Sequence, residues 1–279
     1  MCGHCVIESV RERMLSRRDI FRTATAAGAV AAAAGVVSAP APAHAAAFSR
    51  AADMTHTLTE DFPTYFGAQQ FWMEKKFDFA KDGFNLFELK VNEHTGTHID
   101  SPMHFSAEGT SVDLIPVSSL VAPICVLDIK AKAAESADAQ LTPDDVKAWT
   151  DAHGPIPEGA CVAMNSGWAA KIGTEAFRGF DGAAQHYPGF HVEAAEMLMD
   201  RLDGKIEAGA GSIAVDTLSL DFGMSPDFVT HYKWLPSGRF GIECIAGLDD
   251  VPATGATLVV GAPKHAGGSG GPARIFALV

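Results

Sequence analysis

The stretch HTGTHIDSPMHF, His94–Phe105, gathers His94, His98, Asp100 and His104 into eleven residues. The steps between them are four, two and four, all even. On an extended chain alternate side chains share a face, so the four can project together. A helix would also pair His94 with His98, but Thr95, Gly96, Thr97 and Pro102 oppose one. Pro102 also bends the chain out of a strand ladder, so His104 is expected to approach from a turn. Imidazole nitrogen with carboxylate oxygen suits zinc, manganese or iron(II). Three protein ligands with a position left for water make a catalytic rather than a structural site. A polar turn with exposed histidines is the plain alternative. One histidine would favour it; three with an aspartate between them do not.

The rest of such a site must come from elsewhere, and nine of the eleven histidines follow residue 45. His231 stands in SPDFVTHYKWL, read as a short helix, twelve residues before Glu243 in GIECIAGL. Ile242, Cys244 and Ile245 surround Glu243 in what reads as a buried strand, and a carboxylate there needs a partner. Arg239 could supply it. A cation serves at least as well.

The beginning of the chain reads as a signal rather than as part of the fold. SRRDIFR (Ser16–Arg22) carries paired arginines, a weakly apolar run of small residues follows, and Ala43-His44-Ala45 has the form of a signal-peptidase site. Paired arginines indicate twin-arginine export, which places the protein in the periplasm or outside the cell. The run is too short and too rich in Ala and Gly to favour a permanent membrane anchor. Removal of residues 1–45 leaves 46–279, enough for one well-buried domain. That part holds 16 basic and 31 acidic residues, net −15, with no basic block, which speaks against a nucleic-acid surface. Cys125, Cys161 and Cys244 are an odd set and no disulfide scaffold. Cys2 and Cys5, in CGHC, lack the strand-then-helix setting of a redox pair.

The class is mixed α/β, strand-rich, without repeats or an evident linker. Strands are predicted over 86–92, 121–129, 160–166, 212–220, 239–248, 256–263 and 273–279, from alternation or from buried apolar runs. Helices are predicted over 141–152, where Thr142, Pro143 and Asp145 are start signals, and over 191–202, which carries an apolar stripe. Nine aromatic residues fall between 60 and 87, most of them expected in core or interface packing. Phe71 and Trp72 from that group, with Trp168, are candidates to line a pocket for a ring-bearing substrate. HAGGSGGPAR (265–274) lacks a GK[ST] ending, so it reads as a loop between strands whose glycines let backbone approach a ligand.

HTGTHIDSPMH resembles the HxGTHxDxPxH signature of the cyclase superfamily, which holds bacterial kynurenine formamidases, isatin hydrolases and proteins first named as polyketide cyclases. Every fixed position of the signature is present. His231 and Glu243 also fit the family pattern of a histidine followed by a strand-borne glutamate. HYPGFHVEAAEML (186–198), VDTLSLD (215–221) and the closing GGSGGPARIFAL are similar to further family segments, so the likeness spans most of 50–279. The resemblance implies a swivelling β/β/α domain, a homodimer or homotetramer, and Zn²⁺ or Mn²⁺. It implies a first metal on His94, His98 and Asp100, and a second on Asp100, His231 and Glu243 with the carboxylates bridging. Isatin-hydrolase relatives alter the second site and use one Mn²⁺; Glu243 is present here, which leaves one or two ions per chain open. His104 takes the role of acid/base residue, with Glu243 beside it in the catalytic set.

The expected activity is hydrolysis of an amide or cyclic-amide C–N bond in a small ring-bearing substrate. The attacking group is a hydroxide made at the metal, and His104 handles the proton. The rival readings are a lactone hydrolase or cyclase with the same metal centre, and a non-catalytic periplasmic metal- or ligand-binding protein.

Overall fold

The computed structural model describes residues 48–201 and 211–279. The predicted export signal lies outside the described residues, as do Cys2, Cys5 and the last residue of the 191–202 helix. The strands are β1 (Ala51–Asp53), β2 (Phe71–Phe77), β3 (Leu86–Val91), β4 (His98–Asp100), β5 (Val121–Asp128), β6 (Gln140–Leu141), β7 (Cys161–Asn165), β8 (Gly189–Phe190), β9 (Ser212–Val215), β10 (Phe240–Glu243), β11 (Ala256–Gly261), β12 (Gly270–Pro272) and β13 (Arg274–Leu278). The helices are α1 (Phe79–Asp82), α2 (Lys130–Glu135), α3 (Pro143–His153), α4 (Val192–Arg201) and α5 (Val229–Trp234). No helix among the described residues is long and apolar enough to cross a membrane.

Nine strands form one sheet in the order β1-β13-β11-β5-β7-β9-β10-β4-β12. Its centre, β5-β7-β9-β10, is parallel. Both flanks are antiparallel. Parallel strands lie buried on both faces, and their side chains alternate accordingly. Ile124, Val126, Cys161, Ala163 and Ala214 join one core cluster with Ile99 and Ile242. Cys125, Leu127, Val162, Met164, Ile213 and Val215 join another, covered by Val146 and Trp149 of α3 and by Ala194, Ala195 and Leu198 of α4. This is the mixed, strand-rich α/β class read from the sequence.

Two strands stop earlier than their apolar patterns suggest. The 212–220 run leaves the sheet after Val215, where the buried Asp216 carboxylate accepts from Ser166 Oγ at 2.5 Å and Trp168 N at 2.8 Å. The 239–248 run leaves after Glu243, because Cys244 takes a left-handed φ of 53°.

Met73–Leu89, the greater part of the β2/β3 hairpin with α1, belongs to a unit of its own, whereas Phe48–Trp72 and Lys90–Val279 form the main one. Within the hairpin unit Lys76 pairs with Glu74 at 2.6 Å and Glu88 at 3.4 Å. Of the nine aromatics expected in core or interface packing, Phe62 and Phe71 are buried, whereas Phe66, Trp72, Phe79 and Phe87 are exposed on the single chain.

The start signals before α3 act as read: Asp145 accepts from Thr142 N at 2.7 Å, holding one of the helix's unpaired N-terminal donors. Lys132 reaches the same carboxylate at 2.6 Å. Replacing Asp145 with Ala is expected to cost about 1 kcal/mol and to lower Tm by roughly 2–4 °C. Thermal melts of the two proteins would check this, with turnover unchanged because Asp145 is remote from the site described next.

Candidate metal centre

β4 sets the floor of the site. Ile99 turns into the core, fully buried, so His98 and Asp100 share the opposite face. β10 runs antiparallel beside it with Glu243 opposite His98 and Gly241 opposite Asp100; on the other side β12 sets Gly270 opposite Asp100. Asp100 thus lies between two glycines and Glu243 faces His98 across the ladder.

His98 Nδ1 lies 2.8 Å from the Gly96 carbonyl, which can only accept, so that nitrogen carries the proton. Nε2 faces the two carboxylates, 3.3 Å from Asp100 Oδ1 and 3.3 Å from Glu243 Oε2. His231, from α5, repeats the arrangement. Its Nδ1 lies 2.6 Å from Asp221 Oδ2, and its Nε2 faces Glu243 Oε1 at 3.0 Å and Asp100 Oδ2 at 3.6 Å. Asp221 is itself fixed by Thr230 N at 2.9 Å and His231 N at 3.1 Å. Glu243 also accepts from Leu220 N at 2.9 Å. Arg239, the other partner considered for Glu243, instead donates to Ser237 Oγ and Met199 O.

His94 does not continue the strand. Gly96, at φ 71°, breaks the extension, and His94 Nδ1 comes back to 2.6 Å from Asp100 Oδ1. His104 arrives from the 3₁₀ turn Pro102–Phe105, as Pro102 implied, and stacks on His94 with ring centroids 3.7 Å apart. The expected extended run therefore holds only over His98–Asp100. The ring atoms meet nonetheless, by a bend on each side.

The electrostatics separate His104 from the rest. Burial lowers its pKa to about 4, so it is a neutral imidazole at ordinary pH. Burial also opposes charge on His98, but the Asp100 and Glu243 carboxylates prevail and raise its pKa to about 10. On His231, burial is outweighed by Asp100, Asp221 and Glu243, which hold its pKa well above the usual value. Burial raises Asp100, yet His98, His231 and His94 hold it well below the usual carboxylate range. The cluster draws in positive charge, as protons or as a metal ion.

These residues fit a divalent ion. Among the described residues, buried His98 Nε2 and Asp100 Oδ2 make no hydrogen bond, and such atoms need a partner. Two sets have ligand atoms within 4.8 Å of one another: His94, Asp100 and His104, and His98, Asp100 and Glu243. The grouping differs from the one the resemblance implies, with Asp100 common to both sets.

Above this floor lies a cavity of about 280 Å³ with Phe62, Tyr65, Phe66, Phe105 and Phe228 in its walls. Phe71, Trp72 and Trp168 are not among its lining residues, contrary to expectation. Phe71 is buried, and Trp72 lies under the Lys90 ammonium, 4.6 Å from the ring. Trp168 is a core residue, 3 % exposed, whose indole N–H donates to Phe177 O at 2.8 Å. Asp221 was missed as a functional residue. The signal was present, since an acid closing the apolar run VDTLSLD calls for a partner just as Glu243 does.

Known proteins resemble this chain over most of its length. The family model described as "Putative cyclase" matches residues 52–222. An isatin hydrolase of Roseibium aggregatum is 36 % identical over 198 residues, covering 68 % of this chain and 73 % of that protein. A kynurenine formamidase of Salinibacter ruber is 32 % identical over 190 residues, covering 68 % and 78 %. The solved structure of isatin hydrolase A from Labrenzia aggregata, bound to benzyl benzoate, superposes with a TM-score of 0.75 at 34 % identity, covering 82 % of this chain and 93 % of that one. The fold, the signature residues and the extent of these matches together show that the chain belongs to the cyclase family.

Proposed function

We propose that this protein is a metal-dependent hydrolase that opens an amide or cyclic-amide C–N bond of a small ring-bearing compound, with His104 moving the proton. The observation that carries this reading is a buried imidazole–carboxylate floor, with the Nε2 atoms of His98 and His231 aimed at Asp100 and Glu243, beneath an aromatic-walled cavity. The relatives named isatin hydrolase and kynurenine formamidase support the C–N bond as the point of attack. Zn²⁺ or Mn²⁺, one or two ions per chain, would be held by Asp100 and Glu243 with His94, His98 and His231. Such an ion lowers the pKa of a water from ~15.7 toward roughly 7 and polarises a carbonyl.

The chain's own residues do the rest. Phe105 and Phe228, with ring centroids 5.7 Å apart, form adjoining aromatic walls against which a flat ring can be oriented. Unprotonated His104 can take the proton of the attacking water at Nδ1 or Nε2. It then returns that proton to the departing nitrogen. Asp221 holds His231 in the tautomer that presents Nε2. The paired arginines of residues 16–22 support export by the twin-arginine machinery and action in the periplasm or beyond; assembly as a homodimer or homotetramer belongs to the same proposal.

His104→Ala is expected to lower turnover by roughly 10²–10⁴-fold while elemental analysis finds the metal content of the parent. His98→Ala should lose both. Near-normal turnover in His104→Ala would remove its assigned role, and a panel of amides against matched lactones would place the scissile bond. Asp221→Asn should weaken metal binding by roughly 10–100-fold in competition with a chelator; unchanged affinity would leave Asp221 a purely structural residue.

A further inference from the structure

The glycine-rich loop before β12 reaches the metal centre from outside the strand that carries it. Ser269 Oγ lies 2.9 Å from His94 Nε2 and donates to Glu93 Oε2 at 2.6 Å. A hydroxyl has one proton to give. Since that proton goes to the carboxylate, Ser269 Oγ accepts from His94 Nε2–H. His94 Nδ1 faces Asp100 Oδ1 at 2.6 Å, an oxygen that can only accept, so a proton fills that contact in the metal-free site and a metal ion would take its place in the loaded one. In the loaded site the tautomer of His94 would thus be opposite to that of His98 and His231, whose Nδ1 atoms are engaged by Gly96 O and Asp221.

The loop is held so that Ser269 cannot drift. Glu93 also accepts from Ser269 N at 3.2 Å and is met by His265 Nε2 at 2.5 Å. Ser269 O accepts from Ser101 N and Ser101 Oγ, both at 2.9 Å. The flanking glycines make the approach sterically feasible. A Cβ at Gly270 would lie 2.8 Å from His94 Cε1 and collide with Ile99 O, and one at Gly268 would lie 2.6 Å from Glu93 Oε1 and collide with His265. Outer partners of this kind fix the ring orientation of metal-bound histidines.

We propose that Ser269, held by Glu93 and admitted by Gly268 and Gly270, is a positioning residue that sets His94 in the Nε2–H tautomer and presents Nδ1 to the metal. The inference rests on His94 being a ligand, as in the reading above. It gives the closing GGSGGP segment a task at the centre rather than a loop's task.

The test uses the full chain loaded with Zn²⁺. Imidazole ¹⁵N spectra of the parent protein should show His94 coordinated through Nδ1 with Nε2 protonated; coordination through Nε2 would overturn the proposal without any variant. Ser269→Ala should lower Zn²⁺ affinity roughly 10–100-fold in a chelator competition and shrink the metal-induced rise in Tm, while the Tm of the metal-stripped protein stays at the parent value. Ser269→Thr, which keeps the hydroxyl, should restore affinity. A Ser269→Ala protein with parental affinity would sink the proposal and leave the metal reading intact. A stripped Tm that falls along with affinity, unrescued by threonine, would overturn it in favour of a loop-folding role. Parent protein that binds no Zn²⁺ would instead remove the metal reading itself.

Discussion

Two carboxylates, Asp100 and Glu243, are buried in one cluster, and the rest of the site answers to that fact. Withdrawing a carboxylate from water costs several kcal/mol even after relaxation, and a second one nearby raises the cost through like-charge repulsion. Folding can bear this only if positive charge enters with them. The protein brings four imidazoles, three of them in contact with Asp100. It directs His98 and His231 so that their Nδ1–H groups face outward, to Gly96 O and Asp221, and their Nε2 atoms face inward. Without a metal, protons on those Nε2 atoms meet the carboxylates, as the raised pKa values of His98 and His231 require. A divalent cation can take the place of these protons, because the outward Nδ1–H bonds leave each Nε2 free to coordinate.

The sheet makes this arrangement from parts far apart in the chain. β4 supplies His98 and Asp100; β10, hydrogen-bonded beside it, supplies Glu243; β12 closes the other edge with a glycine where a side chain would strike His94. The antiparallel register between β4 and β10 decides which pairs face one another, and a one-residue slip would turn Glu243 to the core side. Ile99 and Ile242, cross-strand partners and both fully buried, are what fixes that register. The same short ladder that carries the site therefore also anchors it to the main core.

Much of this was visible in the sequence. The spacing of His94, His98, Asp100 and His104 marked a cluster of candidate ligands, although the extended chain it assumed holds only over His98–Asp100, and a glutamate inside an apolar run marked a second buried carboxylate, because both signals are local. The seven predicted strands and the two long helices were visible for the same reason; β1, β2, β6 and β8 were not, and β12 falls inside 265–274, read as a loop, because its glycines carry no apolar pattern and it is held by pairing with β4. The aromatic walls were not. Phe71, Trp72 and Trp168 were plausible by composition, but which aromatic faces a cavity depends on long-range packing: Trp168 is claimed by the Phe177 carbonyl, while Phe105 and Phe228 come in beside the ligands on their own turns. Strand ends at Val215 and Glu243 were hidden too, since an inward-turning Asp216 and a left-handed Cys244 leave no trace in an apolar pattern.

The described residues contain two non-glycine positions with left-handed backbone, Phe228 and Cys244, both at φ 53° and both lining the cavity. Each costs ~1–2 kcal/mol relative to an ordinary conformation, and such strain persists only where its surroundings over-determine it. The surroundings here are the ligand supports. The turn at Phe228 starts α5 so that Thr230 N and His231 N point at Asp221, and the turn at Cys244 sends its amide to Thr217 O and its carbonyl to Thr97 Oγ1 immediately after Glu243. Glycine would relieve both strains, but at Phe228 it would remove the ring that meets Tyr65, Phe105 and His231. One residue therefore serves as a wall for the substrate ring and as the bend that places a candidate ligand. The shape of the cavity and the geometry of the centre beneath it cannot be altered independently at that position.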